Sequence, residues 1–98
     1  MNTKLKMAIV GAGTWGENHA RIYQAHPFAE VAAVCDANYS RARALADKLG
    51  VKEAYGSYQE MLEQADCDAV AIVTPDFAHA DIAVAAAQHK KAILIEKP

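Results

Sequence analysis

The fold is decided by the stretch Lys4-Leu-Lys-Met-Ala-Ile-Val-Gly-Ala-Gly-Thr-Trp-Gly16. Its apolar part, residues 5–10, predicts a buried β-strand, and a helix is expected to follow from Thr14 or Trp15 to Ala25. Between the two lie three glycines in the spacing G-x-G-x-x-G, at Gly11, Gly13 and Gly16. Dinucleotide-binding folds use this spacing to bring the backbone against a pyrophosphate at a helix N-terminus, where free N–H groups and the helix dipole favour negative charge.

Each glycine has its own physical role in this interpretation. Gly11 permits the tight turn that leaves the strand, a side chain on Gly13 would collide with the phosphates, and Gly16 lets the helix pack closely on the strand. Thr14 and Trp15 lie between the second and third glycines. We therefore predict that all five residues belong to the cofactor site, with Trp15 covering the cofactor or the approaching substrate. The alternative for Trp15 is that it anchors a second domain.

An acidic residue supports the dinucleotide interpretation. Asp36 lies 20 positions after Gly16, at the end of a second apolar run, where a carboxylate accepts hydrogen bonds from the adenosine ribose. A nucleoside triphosphate site would need Lys at position 17, but this residue is Glu17. The carboxylate of Asp36 favours NAD and repels the 2′-phosphate of NADP, although Arg41 and Arg43 are close enough in sequence to weaken this preference. The predicted cofactor is NAD, with NADP the less favoured alternative.

Strands and helices alternate along the rest of the chain. The pattern predicts strands at 5–10, 29–35, 51–55, 69–73 and 92–95, and helices at 14–25, 41–49, 58–64 and 78–89. The third strand is expected to be brief and the fourth to be buried. Asn38 or Ser40 would cap the second helix and Gly50 would end it, while Ser57 would cap the third.

This alternation implies an α/β fold of the Rossmann type, a doubly wound parallel sheet with strand order 3-2-1-4-5 and helices on both faces. In such a sheet the carboxyl ends of the strands share one crevice, at the switch point between the first and fourth strands. The glycine loop, Asp36, residues 74–76 and residues 96–97 all directly follow predicted strands. We therefore expect them to form one site.

Composition argues against several other classes. The 98 residues suit a single domain, and a net charge of −2 with scattered lysines and arginines offers no basic surface for nucleic acid. No run approaches the roughly 18–20 apolar residues that span a bilayer, and the N-terminus lacks a signal-peptide pattern. Cys35 and Cys67 fit no metal spacing, and His26 and His89 are expected at helix ends. We expect no metal, membrane or nucleic-acid partner, and a reducing, cytoplasmic setting.

Two further motifs narrow the assignment. They are the run Asp68-Ala-Val-Ala-Ile-Val-Thr-Pro-Asp-Phe-Ala-His79 and the ending Ile93-Leu-Ile-Glu-Lys-Pro98. Together with the glycine motif, His19 and Cys35-Asp36, they resemble the Gfo/Idh/MocA family, named for glucose–fructose oxidoreductase, inositol dehydrogenase and a rhizopine-catabolism oxidoreductase. The resemblance covers essentially the whole chain. It implies a nicotinamide-dependent oxidoreductase that acts on a hydroxyl of a sugar, cyclitol or related polyol.

The resemblance also implies roles for residues near the carboxyl ends of the fourth and fifth strands. Thr74, Pro75 and His79 would line the cofactor side of the crevice. Glu96 and Lys97 would lie near the nicotinamide, with Lys97 as the catalytic residue that polarises the substrate hydroxyl.

Some of these positions depart from the family or have a purely structural alternative. Asp76 departs from the family, in which Asn is common at this position. Lys97 could instead be a solvated side chain, and His79 could simply cap or pack against its helix. His19 is expected to be a packed helix residue rather than a ligand.

The resemblance finally implies a second domain, because members of the family continue into an α/β substrate domain. We expect residues 1–98 to be a dinucleotide-binding domain that stops before the last strand of its sheet, with the substrate domain outside this sequence. The 98-residue chain alone is then expected to bind NAD weakly and to catalyse nothing. The full protein would act on a small-molecule polyol or sugar and form a homo-oligomer. The alternative is a stand-alone NAD-binding, sensing or interaction module without catalysis.

Overall fold

The computed structural model describes residues 4–74 and 76–95, and within these a five-stranded parallel sheet forms the centre of the fold. The strands are β1 (Leu5–Val10), β2 (Ala29–Cys35), β3 (Glu53–Tyr55), β4 (Ala69–Ile72) and β5 (Ala92–Ile95). The helices are α1 (Thr14–Ala25), α2 (Tyr39–Leu49), α3 (Tyr58–Gln64) and α4 (Asp76–Gln88). The order β3-β2-β1-β4-β5, with parallel pairing throughout the described sheet, confirms the predicted topology.

Helices cover both faces of the sheet, because successive side chains of a strand point to opposite sides. On one face, alternate residues of β1, β2 and β4 pack against α3 and α4, in a cluster that includes Ala8, Val10, Val70, Ile72, Met61 and Ile82. On the other face, the intervening residues pack against α1 and α2, in two clusters that include Met7, Ile9, Ala20, Val34 and Leu45. The β4 strand, which lies between β1 and β5, is buried along its whole length, as predicted.

The helix boundaries follow from local capping. The α1 helix ends at Ala25, and the next residue, His26, has an extended backbone with ψ of 131°, since a residue that precedes proline is driven out of helical geometry. The α2 helix ends at Leu49, and the next residue, Gly50, adopts a left-handed conformation with φ of 75°. The Ser57 side chain accepts a hydrogen bond from the Glu60 N–H at 3.4 Å and begins α3. All three of these boundaries agree with the sequence.

Several predicted boundaries were wrong by one or two residues. The α2 helix begins at Tyr39 rather than at residue 41, because its cap is Asn38 and not Ser40. The Asn38 side-chain oxygen accepts a hydrogen bond from the Arg41 N–H at 3.3 Å. The β3 strand begins at residue 53 rather than 51. Its predicted first residue, Val51, instead donates its N–H to the carbonyl of Ala46 at 2.8 Å and closes the end of α2.

The fourth strand and the fourth helix were also predicted slightly out of place. The β4 strand ends at Ile72 instead of residue 73, and α4 runs from Asp76 to Gln88 instead of from 78 to 89. The end of α4 is set by a Schellman motif. The Lys91 N–H donates to the carbonyl of Ala86 at 3.0 Å, and the Lys90 N–H donates to that of Ala87 at 2.9 Å.

The edge strand β5 is much less buried than β4. Its residues Ile93, Leu94 and Ile95 are between 39% and 44% exposed. A groove of about 570 Å³ lies beside it and is lined largely by apolar side chains, among them Leu5, Ile22, Phe28, Ile93 and Leu94. We call this surface the β5 groove.

Candidate functional site

The glycine loop connects β1 to α1 at the carboxyl edge of the sheet, and two of its glycines are sterically required. Gly11 has φ of 111°, and a Cβ atom there would lie 2.7 Å from the carbonyl oxygen of Val73. A Cβ atom on Gly16 would lie 1.7 Å from the carbonyl oxygen of Gly11. These contacts are too short for any side chain, so the turn and the close approach of α1 both depend on glycine.

Gly13 differs from the other two glycines because its surroundings are open. Among the described residues, no heavy atom lies within 4 Å of the position that its Cβ would occupy. The fold therefore does not need glycine at this position. A ligand that approaches the backbone closely would need it.

The N-terminus of α1 leaves its backbone donors available. Gly13 is the N-cap, and within the described part of the chain no side chain accepts a hydrogen bond from the first turn of this helix. By contrast, Asn38 caps α2 and Ser57 caps α3. An uncapped first turn with a positive dipole end provides N–H donors for an anion.

Asp36 lies directly against this loop. Its Oδ2 atom accepts a hydrogen bond from the Ala12 N–H at 2.9 Å, and its Oδ1 atom accepts one from the Asn38 N–H at 2.8 Å. The side chain is 14% exposed. Because both oxygens are held by backbone groups, the carboxylate is fixed at the mouth of the glycine loop and keeps lone pairs for further donors.

The two arginines that follow Asp36 have different orientations. The Arg41 guanidinium lies 3.9 Å from Asp36 Oδ2 and its side chain is 58% exposed. The Arg43 guanidinium instead pairs with Asp47 at 2.9 Å and donates to the carbonyls of Lys52 and Val51, each at 3.0 Å. Of the two cations expected near the ribose site, the structure brings only Arg41 there.

A second carboxylate, Glu17, lies in the first turn of α1. Hydrogen bonds from Arg21 and then from Lys48 lower the pKa of Glu17. The Arg21 Nη2 atom is 2.7 Å from it, and the Lys48 Nζ atom is 3.3 Å away. Two cations thus offset a negative charge that would otherwise oppose an anion at the helix N-terminus.

Thr74 and His79 lie after β4, on the other side of the crevice. The Nε2 atom of His79 donates to the backbone carbonyl of Thr74, and His79 is buried, with 7% of its surface exposed. His79 is thus packed and bonded to the loop backbone. The hydroxyl of Thr74 is buried and makes no hydrogen bond with the part of the chain that the structure describes. A buried hydroxyl without a partner is the kind of group that a ligand satisfies.

A pocket of about 270 Å³ adjoins these residues on the α3–α4 side of the sheet edge. It is lined by Val10, Cys35, Ala37, Gly56, Ser57, Tyr58, Gln59, Thr74 and Ile82. Gly56 and Tyr58 were not among the predicted site residues. The signal was available, because Gly56 directly follows β3, Tyr58 begins α3 shortly after it, and the carboxyl end of β3 lies at the same edge.

Cys35 lines this pocket but has no reactive character. Burial is the main cause that raises the pKa of its thiol to about 12, with a smaller contribution from Asp36. The thiolate is the nucleophilic form, so Cys35 serves as a packing residue.

The remaining predicted site residues divide into exposed, packed and undescribed ones. Thr14 and Trp15 are exposed beside the loop, with Trp15 53% exposed. His19 contacts the hydroxyl of Tyr23 at 3.2 Å, as expected of a packed helix residue. Pro75, Glu96 and Lys97 lie outside the described residues. So do the side chain of Asp76 and the ending Glu-Lys-Pro.

Two features of the described residues bear on other kinds of site. Within residues 4–74 and 76–95, there is no helix long and apolar enough to cross a membrane. The same residues contain no group of three or more His, Cys, Asp or Glu side chains that could hold a metal ion.

The geometry fits a dinucleotide. Open space above Gly13 and an uncapped helix would take the pyrophosphate, the fixed carboxylate of Asp36 would take a ribose, and the buried hydroxyl of Thr74 lies on the opposite side of the crevice. The fold and the site together define a dinucleotide-binding Rossmann domain.

The comparison with known proteins identifies the family. The chain belongs to the Gfo/Idh/MocA oxidoreductase family with an NAD-binding Rossmann fold, whose sequence model matches residues 5–98. The chain is 39% identical to an inositol 2-dehydrogenase of Pseudarthrobacter chlorophenolicus, over 100% of this chain and 29% of that relative. It is 35% identical to a scyllo-inositol 2-dehydrogenase (NAD(+)) of Bacillus subtilis, with the same coverage.

Solved structures agree with the sequence relatives. The scyllo-inositol dehydrogenase of Lactobacillus casei with bound NAD(H) and scyllo-inositol superposes with a TM-score of 0.90 at 30% identity, over 98% of this chain and 28% of that one. The predicted family, fold and NAD cofactor are thereby confirmed. The matches do not support the alternative of a stand-alone sensing or interaction module. The chain spans less than a third of the length of these relatives.

Proposed function

We propose that this chain is the cofactor-binding part of an NAD-dependent dehydrogenase that transfers a hydride between the nicotinamide and a hydroxyl of a polyol. A cyclitol of the inositol type is the favoured substrate, and a sugar is the wider class. This proposal is supported by the family, in which the relatives described above are inositol dehydrogenases. Bound NAD would supply the hydride acceptor for oxidation of the hydroxyl carbon.

The observation that carries the proposal is the contact between Asp36 and the glycine loop. The hydrogen bond from the Ala12 N–H to Asp36 holds a carboxylate beside the open N-terminus of α1. A ribose hydroxyl that donates to Asp36 would leave the neighbouring pyrophosphate over Gly13, Thr14 and Trp15. The two halves of the adenosine diphosphate would then be bound by adjacent groups of opposite electrostatic character.

The pocket beside Asp36 supports a place for the adenine. Its volume of about 270 Å³ and its mostly apolar lining suit a flat aromatic ring. The Thr74 hydroxyl at its border would provide a hydrogen-bonding partner for the cofactor. His79 would act indirectly, by holding the carbonyl of Thr74.

Chemistry at the substrate is proposed for Lys97. A lysine amine near the nicotinamide would hydrogen-bond to the substrate hydroxyl and help its proton to leave as the hydride is transferred. Glu96 and Pro75 would line the same end of the crevice. These three roles rest on the family resemblance of the residues.

Binding of NAD to the loop is tested with Gly13→Ala. The added methyl group meets no described atom, so the melting temperature should stay unchanged, while NAD affinity should fall roughly tenfold to a hundredfold because backbone hydrogen bonds to the pyrophosphate are lost. Trp15 is the single tryptophan and lies in the loop, so its fluorescence can follow the titration. Asn18→Ala, an exposed change on the same helix, is the matched control. Equal NAD affinity in all three proteins would contradict the proposed site.

Activity is tested with a longer protein. It includes the region that follows, in the relatives, the part matched by residues 1–98 of this chain. NADH formation is measured with myo-inositol, scyllo-inositol and glucose, for the unchanged protein and for Lys97→Met. We expect turnover of at least one cyclitol, and loss of kcat with retained NAD binding in the variant. Equal kcat in the two proteins would remove Lys97 from the mechanism.

We also propose that the protein is a cytoplasmic homo-oligomer. Its two cysteines are free and buried, which agrees with a reducing compartment. The exposed apolar surface at β5 supports a contact with another polypeptide surface. Sedimentation velocity across a range of protein concentrations tests the oligomeric state.

A further inference from the structure

Glu17 places a negative charge close to the backbone donors proposed for the pyrophosphate. It lies in the first turn of α1, and its Cα atom is about 4.5 Å further along the helix axis than that of Thr14. A carboxylate in the first turn stabilises a helix through the helix dipole, but it repels an anion that binds at the same helix end. The site therefore contains a charge that opposes its ligand unless other groups offset it.

Two cations from different helices hold the Glu17 carboxylate. Arg21, one turn later on α1, donates to Oε2 from Nε at 3.0 Å and from Nη2 at 2.7 Å. Lys48, in the last turn of α2, has its Nζ atom 3.3 Å from each carboxylate oxygen. These contacts draw the carboxylate along α1 and away from its N-terminus, and the three side chains together carry an excess of positive charge.

The two cations differ in how the sequence brings them to Glu17. Arg21 pairs with it at i,i+4 spacing on one helix, a local contact that many exposed helices make. Lys48 lies 31 positions away and reaches the same carboxylate from α2. The Lys48 side chain remains 57% exposed, and an exposed ion pair contributes little to folding stability. The larger consequence of the Lys48 charge is for an anion that binds beside Glu17.

We propose that Lys48, together with Arg21, is a positioning residue of the pyrophosphate site, which holds the Glu17 carboxylate away from the bound diphosphate and offsets its charge. The inference rests on the proposed place of the pyrophosphate over Gly13. In this arrangement Lys48 contacts neither cofactor nor substrate, and it acts through Glu17. The protein then binds NAD more tightly than it would if the Glu17 charge were not offset.

The prediction is a pattern of NAD affinities in four proteins. Lys48→Ala should weaken NAD binding about threefold at low ionic strength, because less of the Glu17 charge is offset. Glu17→Gln should strengthen NAD binding about twofold, because the repelling charge is removed while both cations stay. If Lys48 were only a structural tie between α1 and α2, Glu17→Gln would break the tie and weaken binding. Adding Lys48→Ala to Glu17→Gln should change NAD affinity by less than about 1.5-fold.

The experiment is a calorimetric titration of NAD into the unchanged protein, the two single variants and the double variant, at about 0.02 M and about 0.5 M salt. High salt should reduce each difference in affinity, since it screens charges that are exposed to solvent. Lys48→Arg keeps the charge and should retain the NAD affinity of the unchanged protein. Lys52→Ala is the matched control, because it removes the same charge from an exposed residue that follows α2. Thermal denaturation of each variant shows that it is folded.

The outcomes separate this inference from the proposed function. If the unchanged protein does not bind NAD, the proposed function and the inference are both wrong. If it binds NAD, the role of Lys48 is wrong and the proposed function stands in any of three cases: Lys48→Ala leaves the affinity unchanged, Lys52→Ala weakens it equally, or Glu17→Gln weakens it. A loss of affinity in Lys48→Ala that salt reduces and that is absent beside Glu17→Gln supports the inference.

Discussion

At the scale of single residues, the three loop glycines belong to one sequence motif, but glycine is needed at each position for a different physical reason. Gly16 is needed by the fold, because any side chain there would meet the carbonyl oxygen of Gly11. Gly13 meets no described atom, and only a bound ligand would require it. The spacing identifies the motif, but the distances show which glycine serves packing and which one is free for binding.

Cys35 provides a prediction about pH at the same scale. Its thiol pKa is about 12 in the folded protein and about 9 when exposed, so the folded state resists forming the thiolate. In a Cys67→Ala variant, Cys35 should react slowly with an aromatic disulfide reagent at neutral pH and rapidly after unfolding in guanidinium. Fast labelling of the folded protein would contradict this expectation.

The same shift has a consequence for stability. Because the thiol is easier to ionise in the unfolded chain, its contribution to stability is complete below pH 9 and declines as the pH rises toward 12. Cys35→Ala should make the alkaline decline of unfolding free energy shallower. The unfolding free energy of the Cys35→Ala variant at neutral pH is the control. It reports the loss of packing, whereas only the slope of the unfolding free energy against pH reports the titration of the thiol.

At the scale of elements, two helices end in the same hydrogen-bonding pattern with different residues. After α2, Gly50 adopts φ of 75°, and after α4, Lys90 adopts φ of 60°. Glycine is favoured at such a left-handed position because it has no Cβ atom. Gly50 marks the first of these ends in the sequence, whereas nothing local at Lys90 signals a left-handed conformation.

This pair gives a matched test of helix ends. Lys90→Gly should raise the free energy of unfolding by roughly 0.5–1 kcal/mol, since relief of backbone strain exceeds the added entropy of glycine. Gly50→Ala should lower it by about 1–2 kcal/mol. No described atom lies within 4 Å of the new methyl group, so the effect is conformational. Urea denaturation measures both, and changes of the same sign would contradict the explanation.

At the scale of the whole molecule, β4 and β5 are two similar apolar strands with opposite environments. The residues of β4 are all buried, whereas those of β5 are all exposed. In the sequence, both strands consist of small or branched apolar residues: Ala, Val and Ile in β4, and Ala, Ile and Leu in β5. The difference arises because β4 lies between β1 and β5, while β5 has only β4 as a described neighbour.

The β5 groove leads to a prediction for the 98-residue polypeptide. Leu94→Lys should reduce binding of a hydrophobic dye and self-association, and should change the free energy of unfolding by less than about 1 kcal/mol, because Leu94 is 44% exposed. The control, Ile72→Ala in β4, should cost roughly 2–5 kcal/mol because that side chain is fully buried. A similar loss of stability in both variants would contradict this difference.

The sequence by itself determined the elements, their order and the family. Apolar periodicity, glycine sterics and capping act between residues that are close along the chain, so they can be read locally and located all nine described helices and strands within two residues. The carboxyl-edge crevice followed as well, because parallel strands bring their ends together.

Only the tertiary structure decided which neighbours each side chain meets. It brought Arg41, and not Arg43, to Asp36, turned His79 onto the carbonyl of Thr74, and left β5 exposed where β4 is buried. The first two contacts join residues five positions apart, and the turn of the chain at the carboxyl edge of the sheet sets their geometry, whereas the exposure of β5 is set by its position in the sheet. Composition and periodicity describe one segment at a time, and therefore do not contain that information.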